Sequence, residues 1–136
     1  MLYRQTKGVS EMSMQVHSIG QIAIAVSEIA QAKAFYQEVL GLQFLFDAPP
    51  ALSFFMCGDT RLMLTTLQGD PADHRTSVIY YKVSSLDQAT LQLQQHDVKW
   101  VQEPSFVAKM PDHDLWMGFI RDPDANLIGL MEERRA

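Results

Sequence analysis

The chain has 136 residues, 47% hydrophobic and 20% charged, a globular balance with enough apolar material for one continuous core. A formal net charge of -5, with one short arginine pair at Arg134 and Arg135, lacks the basic footprint of a nucleic-acid binder. No apolar run approaches the ~20 residues of a membrane span, residues 1–13 do not read as a signal peptide, and the single cysteine, Cys57, fits a reducing cytoplasmic setting.

Residues 1–18 have no counterpart elsewhere in the chain and are expected to form an N-terminal arm. The apolar run 21–26 reads as a strand, Ser27 as an N-cap, and the apolar steps Ile29, Ala32, Tyr36 and Val39 or Leu40 as a helix closed by Gly41. Strands are expected at 42–46, 52–57 and 61–66, the last two joined by Gly58-Asp59. After a linker at 68–76 the same order returns. A strand at 78–83 leads to Ser84 as cap, with Asp87 as the acidic member of a capping box. Leu86, Ala89 and Leu93 mark a helix ending at His96-Asp97, followed by strands at 98–101, 115–121 and 126–131. Placing Val26-Ser27-Glu28-Ile29 beside Val83-Ser84-Ser85-Leu86 brings the halves into register. The expected organisation is thus a module at 19–67 and a second at 77–133, each a strand, a helix and three strands.

Alternation along these strands separates two faces. Ile22, Ile24, Val26, Leu62, Leu64, Ile79, Tyr81, Val83, Ile128 and Leu130 belong beneath the helices. The opposite face carries Gln21, Ala23, Ala25, Arg61, Met63, Thr65, Val78, Tyr80, Lys82, Leu127, Gly129 and Met131, a mixture suited to a ligand-holding concavity. A solvated sheet face, or one covered by a partner subunit, is the alternative.

The stretch IAIAVSEIAQAKAFYQEVLGL at 22–42 and the hairpin GFIRDPDANLIGL at 118–130, with Ala125 where glycine is usual, resemble the vicinal oxygen chelate superfamily. This group comprises glyoxalases, bleomycin-resistance proteins and extradiol dioxygenases. The resemblance implies an α+β fold of two tandem βαβββ modules, with curled mixed sheets around a cleft and the helices outside. In the metalloenzymes of the superfamily, one His or Glu from each of four strands holds a divalent ion. The matching positions here are Gln21, Met63, Val78 and Gly129, which offer one neutral amide between them. No metal and no cofactor are therefore expected.

The expected ligand-binding set is Gln21, Arg61, Met63, Tyr80, Lys82, His113, Trp116 and Met131. His113, between Asp112 and Asp114 at the cleft rim, is the one candidate for proton transfer, the catalytic residues being otherwise unknown. His17, His74 and His96 read as ordinary surface residues and Cys57 as a structural thiol. The leading function is metal-independent binding of a partly apolar or aromatic small molecule. A lyase, isomerase or dioxygenase-like enzyme using side chains or an unrecognised metal site is the alternative, and a diverged protein-binding scaffold a third. A homodimer is expected, since curled open sheets leave edges that benefit from cover.

Overall fold

The computed structural model describes residues 18–66 and 77–136; the expected linker, His17, His74 and all of the expected arm except Ser18 lie outside the described residues. The first sheet is built from β1 (Gln21–Val26), β2 (Gln43–Ala48), β3 (Leu52–Cys57) and β4 (Thr60–Thr66), in spatial order β1-β4-β3-β2. The second repeats this with β5 (Ile79–Lys82), β6 (Gln102–Lys109), β7 (Asp114–Arg121) and β8 (Leu127–Arg134), in order β5-β8-β7-β6. In each, the first strand runs parallel to the fourth and the remaining pairs are antiparallel. A strand returning parallel to its module's start needs a crossover. That crossover is helical, through α1 (Ile29–Ala34) with a π-helical turn at Phe35–Val39, and through α2 (Leu86–Gln95). The result is the α+β arrangement of two tandem βαβββ modules, mixed sheets around a cleft and helices outside.

Alternation places Ile24, Val26, Leu62 and Leu64 in the core with Ala32, Phe35 and Tyr36, while Tyr81, Ile128 and Leu130 join Leu86 and Leu93. These two sets form one contiguous buried cluster, so the modules share a core. Widening the helix at the π turn seats the neighbouring residues Phe35 and Tyr36 together, at 8% and 1% exposure.

Three local expectations are corrected. Glu28, not Ser27, precedes the first helix and makes no side-chain cap; the Ser27 amide donates to Asp124 Oδ1 at 2.8 Å. The second helix is capped by Ser85, whose Oγ accepts from the Gln88 amide at 3.1 Å, so the box between Ser84 and Asp87 does not form. The strand expected at 98–101 lies instead at Gln102–Lys109, an edge strand with two register shifts. The helix stops fall as expected, with Gly41 and Asp97 at φ of 71° and 57°.

The closing hairpin of the second module is tied down by a buried carboxylate. Asp122, 5% exposed, accepts from the Tyr36 hydroxyl at 2.7 Å, from Asn126 Nδ2 at 2.8 Å, and from the Asp124 and Asn126 amides at 2.9 Å each. Asn126 Nδ2 also reaches the Ala25 carbonyl at 3.2 Å, which joins this turn to the first module. Within it Ala125 sits at φ 68°, where its Cβ is crowded. Ala125→Gly is therefore expected to stabilise the fold by ~0.5–1 kcal/mol, relief of strain outweighing the larger chain entropy of glycine. A urea midpoint that stays put or falls would refute the strain.

Candidate functional site

The face of the first sheet turned away from the core is ordered by pairing register. Gln21 stands opposite Arg61 and Met56, and Ala23 opposite Met63, Phe54 and Phe46. Arg61 Nε donates to Gln21 Oε1 at 2.8 Å, and Gln21 Nε2 points at Met63 Sδ at 3.6 Å. The guanidinium lies 5.2 Å from the centre of the Phe54 ring, which stacks on Phe46 at 4.7 Å. Phe54 is 8% exposed yet stands outside the contiguous core, being buried on the opposite face. Gln21, Arg61 and Met63, all expected at the site, therefore come together.

On the second sheet the corresponding face runs Tyr80, Gly129, Phe119 and then Lys82, Met131, Met117. Tyr80 meets Phe119 edge to face at 5.7 Å. Its ring lies directly on Gly129: a Cβ there would overlap Cδ2 and stand 2.8 Å from Cε2. The strand accepts the ring only because position 129 has no side chain. Tyr80 is 47% exposed, so its free face is available to a ligand.

Beyond Met131 on β8 lies a charged cluster. Glu133 Oε1 is 3.7 Å from Lys82 Nζ and accepts from Arg135 Nη2 at 2.9 Å. His113 Nδ1 is 2.7 Å from Asp112 Oδ1, and its Nε2 is 4.0 Å from Glu133 Oε2. The imidazole, 11% exposed, thus lies between two carboxylates. The hydrogen bond with His113 holds the Asp112 carboxyl below the usual range, and that from Arg135 does the same for Glu133. Both carboxylates are strong acceptors here, so Lys82 already has a protein partner for its charge. A crevice of about 340 Å³ opens beside His113, lined by Met110, Asp112 and Arg135 among others.

Trp116 is not part of this face. Met117 stands opposite Met131 on the cleft side, so Trp116, one residue earlier, turns to the other side. There it packs against the core, meets Phe106 at 6.2 Å and carries the Arg134 guanidinium at 4.1 Å. The aromatic residues sequence reasoning missed are Phe46, Phe54 and Phe119. The two-residue turn Gly58-Asp59 pairs Cys57 with Thr60 and hence Phe54 with Met63, so the signal was present in the sequence.

Residues 18–130 match the family described as the Glyoxalase/Bleomycin resistance protein/Dioxygenase superfamily. The chain belongs to this superfamily. Solved structures of the same fold include a virulence protein from Salmonella typhimurium, 20% identical over 88% of this chain and 99% of that one, with a TM-score of 0.72. A lactoylglutathione lyase from Agrobacterium tumefaciens is 20% identical over 86% of this chain and 94% of its own, TM-score 0.65. An antibiotic-binding protein from Streptomyces sp. CB03234 is 23% identical over 89% and 99%, TM-score 0.66. At these identities the likeness shows the fold. No curated protein matches the chain in sequence.

The superfamily includes metalloenzymes, and the side chains at the implied ligand positions do not fit a divalent ion. The Gln21 oxygen is engaged by Arg61, Met63 offers a thioether, Val78 offers no donor, and position 129 lies under the Tyr80 ring. Among the described residues no three His, Cys, Asp or Glu side chains are grouped to hold an ion. Among them, too, no helix is long and apolar enough to cross a membrane.

Proposed function

We propose that the chain is a metal-independent small-molecule-binding protein of this superfamily, with a partly aromatic ligand held against Tyr80 in the cleft. The observation that carries this reading is the seat of Tyr80 on Gly129: an implied metal-ligand position has become the floor beneath an aromatic ring. Met131 and Met117 supply adaptable apolar surface on the same face as Tyr80; on the matching face of the first sheet Met63 supplies more, and Arg61, over the Phe54 ring, a hydrogen-bonding cation. The antibiotic-binding relative of the same fold is consistent with such a role.

Thermal-shift screening is expected to show stabilisation by aromatic carboxylates and phenols and none by hydrophilic sugars. Tyr80→Ala is expected to remove that stabilisation, at a cost of ~1–3 kcal/mol in binding. Stabilisation by sugars alone, or binding untouched by Tyr80→Ala, would overturn the reading. The proposed assembly is a cytoplasmic homodimer whose partner covers open sheet edges such as β6, where Phe106 and Val107 are each 51% exposed. Light scattering at micromolar concentration then gives about twice the 15.4 kDa chain mass, and a clean monomer would overturn the homodimer.

The placement of His113 between Asp112 and Glu133 supports a second reading, an enzyme using the imidazole for proton transfer. Loss of turnover in His113→Ala with ligand binding retained would favour it over simple sequestration.

A further inference from the structure

The internal repeat creates two equivalent places, each where the end of one module's first strand meets the closing hairpin of the other module. At the end of β1 the place is filled. Asn126 Nδ2 reaches the Ala25 carbonyl at 3.2 Å, Asp124 receives the Ser27 amide at 2.8 Å, and Tyr36 reaches inward to Asp122 at 2.7 Å. At the end of β5 the filling is missing. The hairpin there closes through the short turn Gly58-Asp59, and the repeat puts Leu93 where Tyr36 stands in the first module.

The consequence is a crevice of about 650 Å³ between the modules, lined by Leu40, Leu42, Cys57, Tyr81, Val83 and Leu93 among others. It lies on the helix side of the sheets, since Tyr81 and Leu93 belong to the core and Tyr80 to the opposite face. Tyr81 is 8% exposed, and its hydroxyl is buried with no hydrogen-bond partner among the described residues. Such an orphan costs ~1–3 kcal/mol and is rare in folded proteins. Burial and the neighbouring Cys57 push the phenol up, so it keeps its proton and remains a donor.

We propose that this crevice is a second small-molecule site, distinct from the cleft, taking a compact apolar molecule with one neutral hydrogen-bond acceptor for the Tyr81 hydroxyl. An anionic group is not called for, because Lys82, the cation on the crevice wall, has its ammonium 3.7 Å from Glu133. The remaining polar wall is made of neutral groups such as Ser84, Ser85 and Gln88. An aryl ketone has the required chemistry, an apolar body and a single carbonyl acceptor.

Cys57 is the single cysteine of the chain and lies in the crevice wall, so its alkylation reports occupancy. The probe is para-fluoroacetophenone, followed by fluorine NMR, with the rate of Cys57 alkylation by iodoacetamide read by mass spectrometry. The probe is expected to bind the full chain saturably and slow alkylation several-fold. Tyr81→Phe, which keeps the ring, is expected to weaken binding by ~3- to 10-fold through loss of the hydrogen bond. Leu93→Tyr, which installs the side chain of the filled counterpart, is expected to abolish protection, and Ala89→Leu narrows the same space should the larger ring disturb folding. Tyr80→Ala, which removes the ring of the cleft site, is expected to leave Cys57 protection unchanged. Absence of Cys57 protection by the probe, full protection in Tyr81→Phe and in a folded filling variant, or loss of protection in Tyr80→Ala would each overturn the proposal.

Discussion

Asp122→Ala is expected to destabilise the fold by about 3–5 kcal/mol, a large fraction of the ~5–15 kcal/mol that holds an ordinary domain folded. The carboxylate accepts four hydrogen bonds at 2.7–2.9 Å and is 5% exposed, so its removal leaves the Tyr36 hydroxyl and the Asn126 amide seeking partners in a buried place. The damage is not confined to the turn, because Tyr36 belongs to the first module and Asn126 also holds the Ala25 carbonyl. Tyr36→Phe removes one donor and is expected to cost ~1–1.5 kcal/mol. The double variant should cost less than the sum of the two, which is the signature of shared partners. Alkaline titration gives an independent readout. Burial, with Asp122 beside it, pushes the Tyr36 phenol far above its ordinary value. A group whose pKa is raised on folding contributes stability below its unfolded value, near 10, and loses it as pH rises further. Urea midpoints of the wild type should therefore fall from about pH 10 upward, and those of Tyr36→Phe should fall less steeply. Additive variants and parallel alkaline profiles would show that the network is not coupled.

Much of this architecture can be read from residue order alone, and the places where reading fails share a physical cause. Strand parity worked wherever one face is buried by a helix, because Leu62, Leu64, Ile128 and Leu130 then alternate cleanly with Arg61, Met63, Gly129 and Met131. It failed at β6. That edge strand contains Glu103 and Pro104 within its first register shift, and most of its side chains are exposed, so no alternation is imposed on it. The segment 98–101 alternates better but serves another end: it carries Trp100 onto the core before ladder pairing begins at Gln102.

The site was legible one residue at a time and less so as a constellation. Tyr80, Met63, Arg61 and Gln21 follow from parity, but the contacts that give them meaning join distant parts of the chain. Gln21 accepts from Arg61 forty residues away, and the aromatic partner of Tyr80 is Phe119 on the far side of β8. Trp116 was placed in the ligand-binding set by its nearness to His113 at the rim, whereas the ladder through Gly129 turns it toward the core. The same ladder sets a condition on any metal site built at the ligand positions. A side chain at position 129 meets the Tyr80 ring, so that ring would have to turn out of its seat to make room.

Gly118→Ala is expected to cost about 2 kcal/mol, an unusual penalty for adding one methyl group to a strand. A Cβ at this position would stand 2.6 Å from Trp100 Cζ3, 2.9 Å from its Cε3 and 3.1 Å from the Gln102 carbonyl. The indole is packed against the core and cannot simply swing into water, and the carbonyl belongs to the backbone. Alanine would normally gain ~0.5–1 kcal/mol over glycine in a strand through chain entropy, so the clash must overcome that gain as well. Position 129 provides the contrast. There the obstructing ring is Tyr80, 47% exposed and able to turn outward, so Gly129→Ala should cost little stability and instead loosen the cleft aromatic. Shortening the obstruction tests the cause directly. Trp100→Leu alone loses core contact and destabilises, but combined with Gly118→Ala the cost should fall below the sum of the two by 1 kcal/mol or so, because the methyl then occupies space the indole has vacated. Strict additivity in urea titrations would mean that Gly118 is kept for a reason other than the close approach of Trp100.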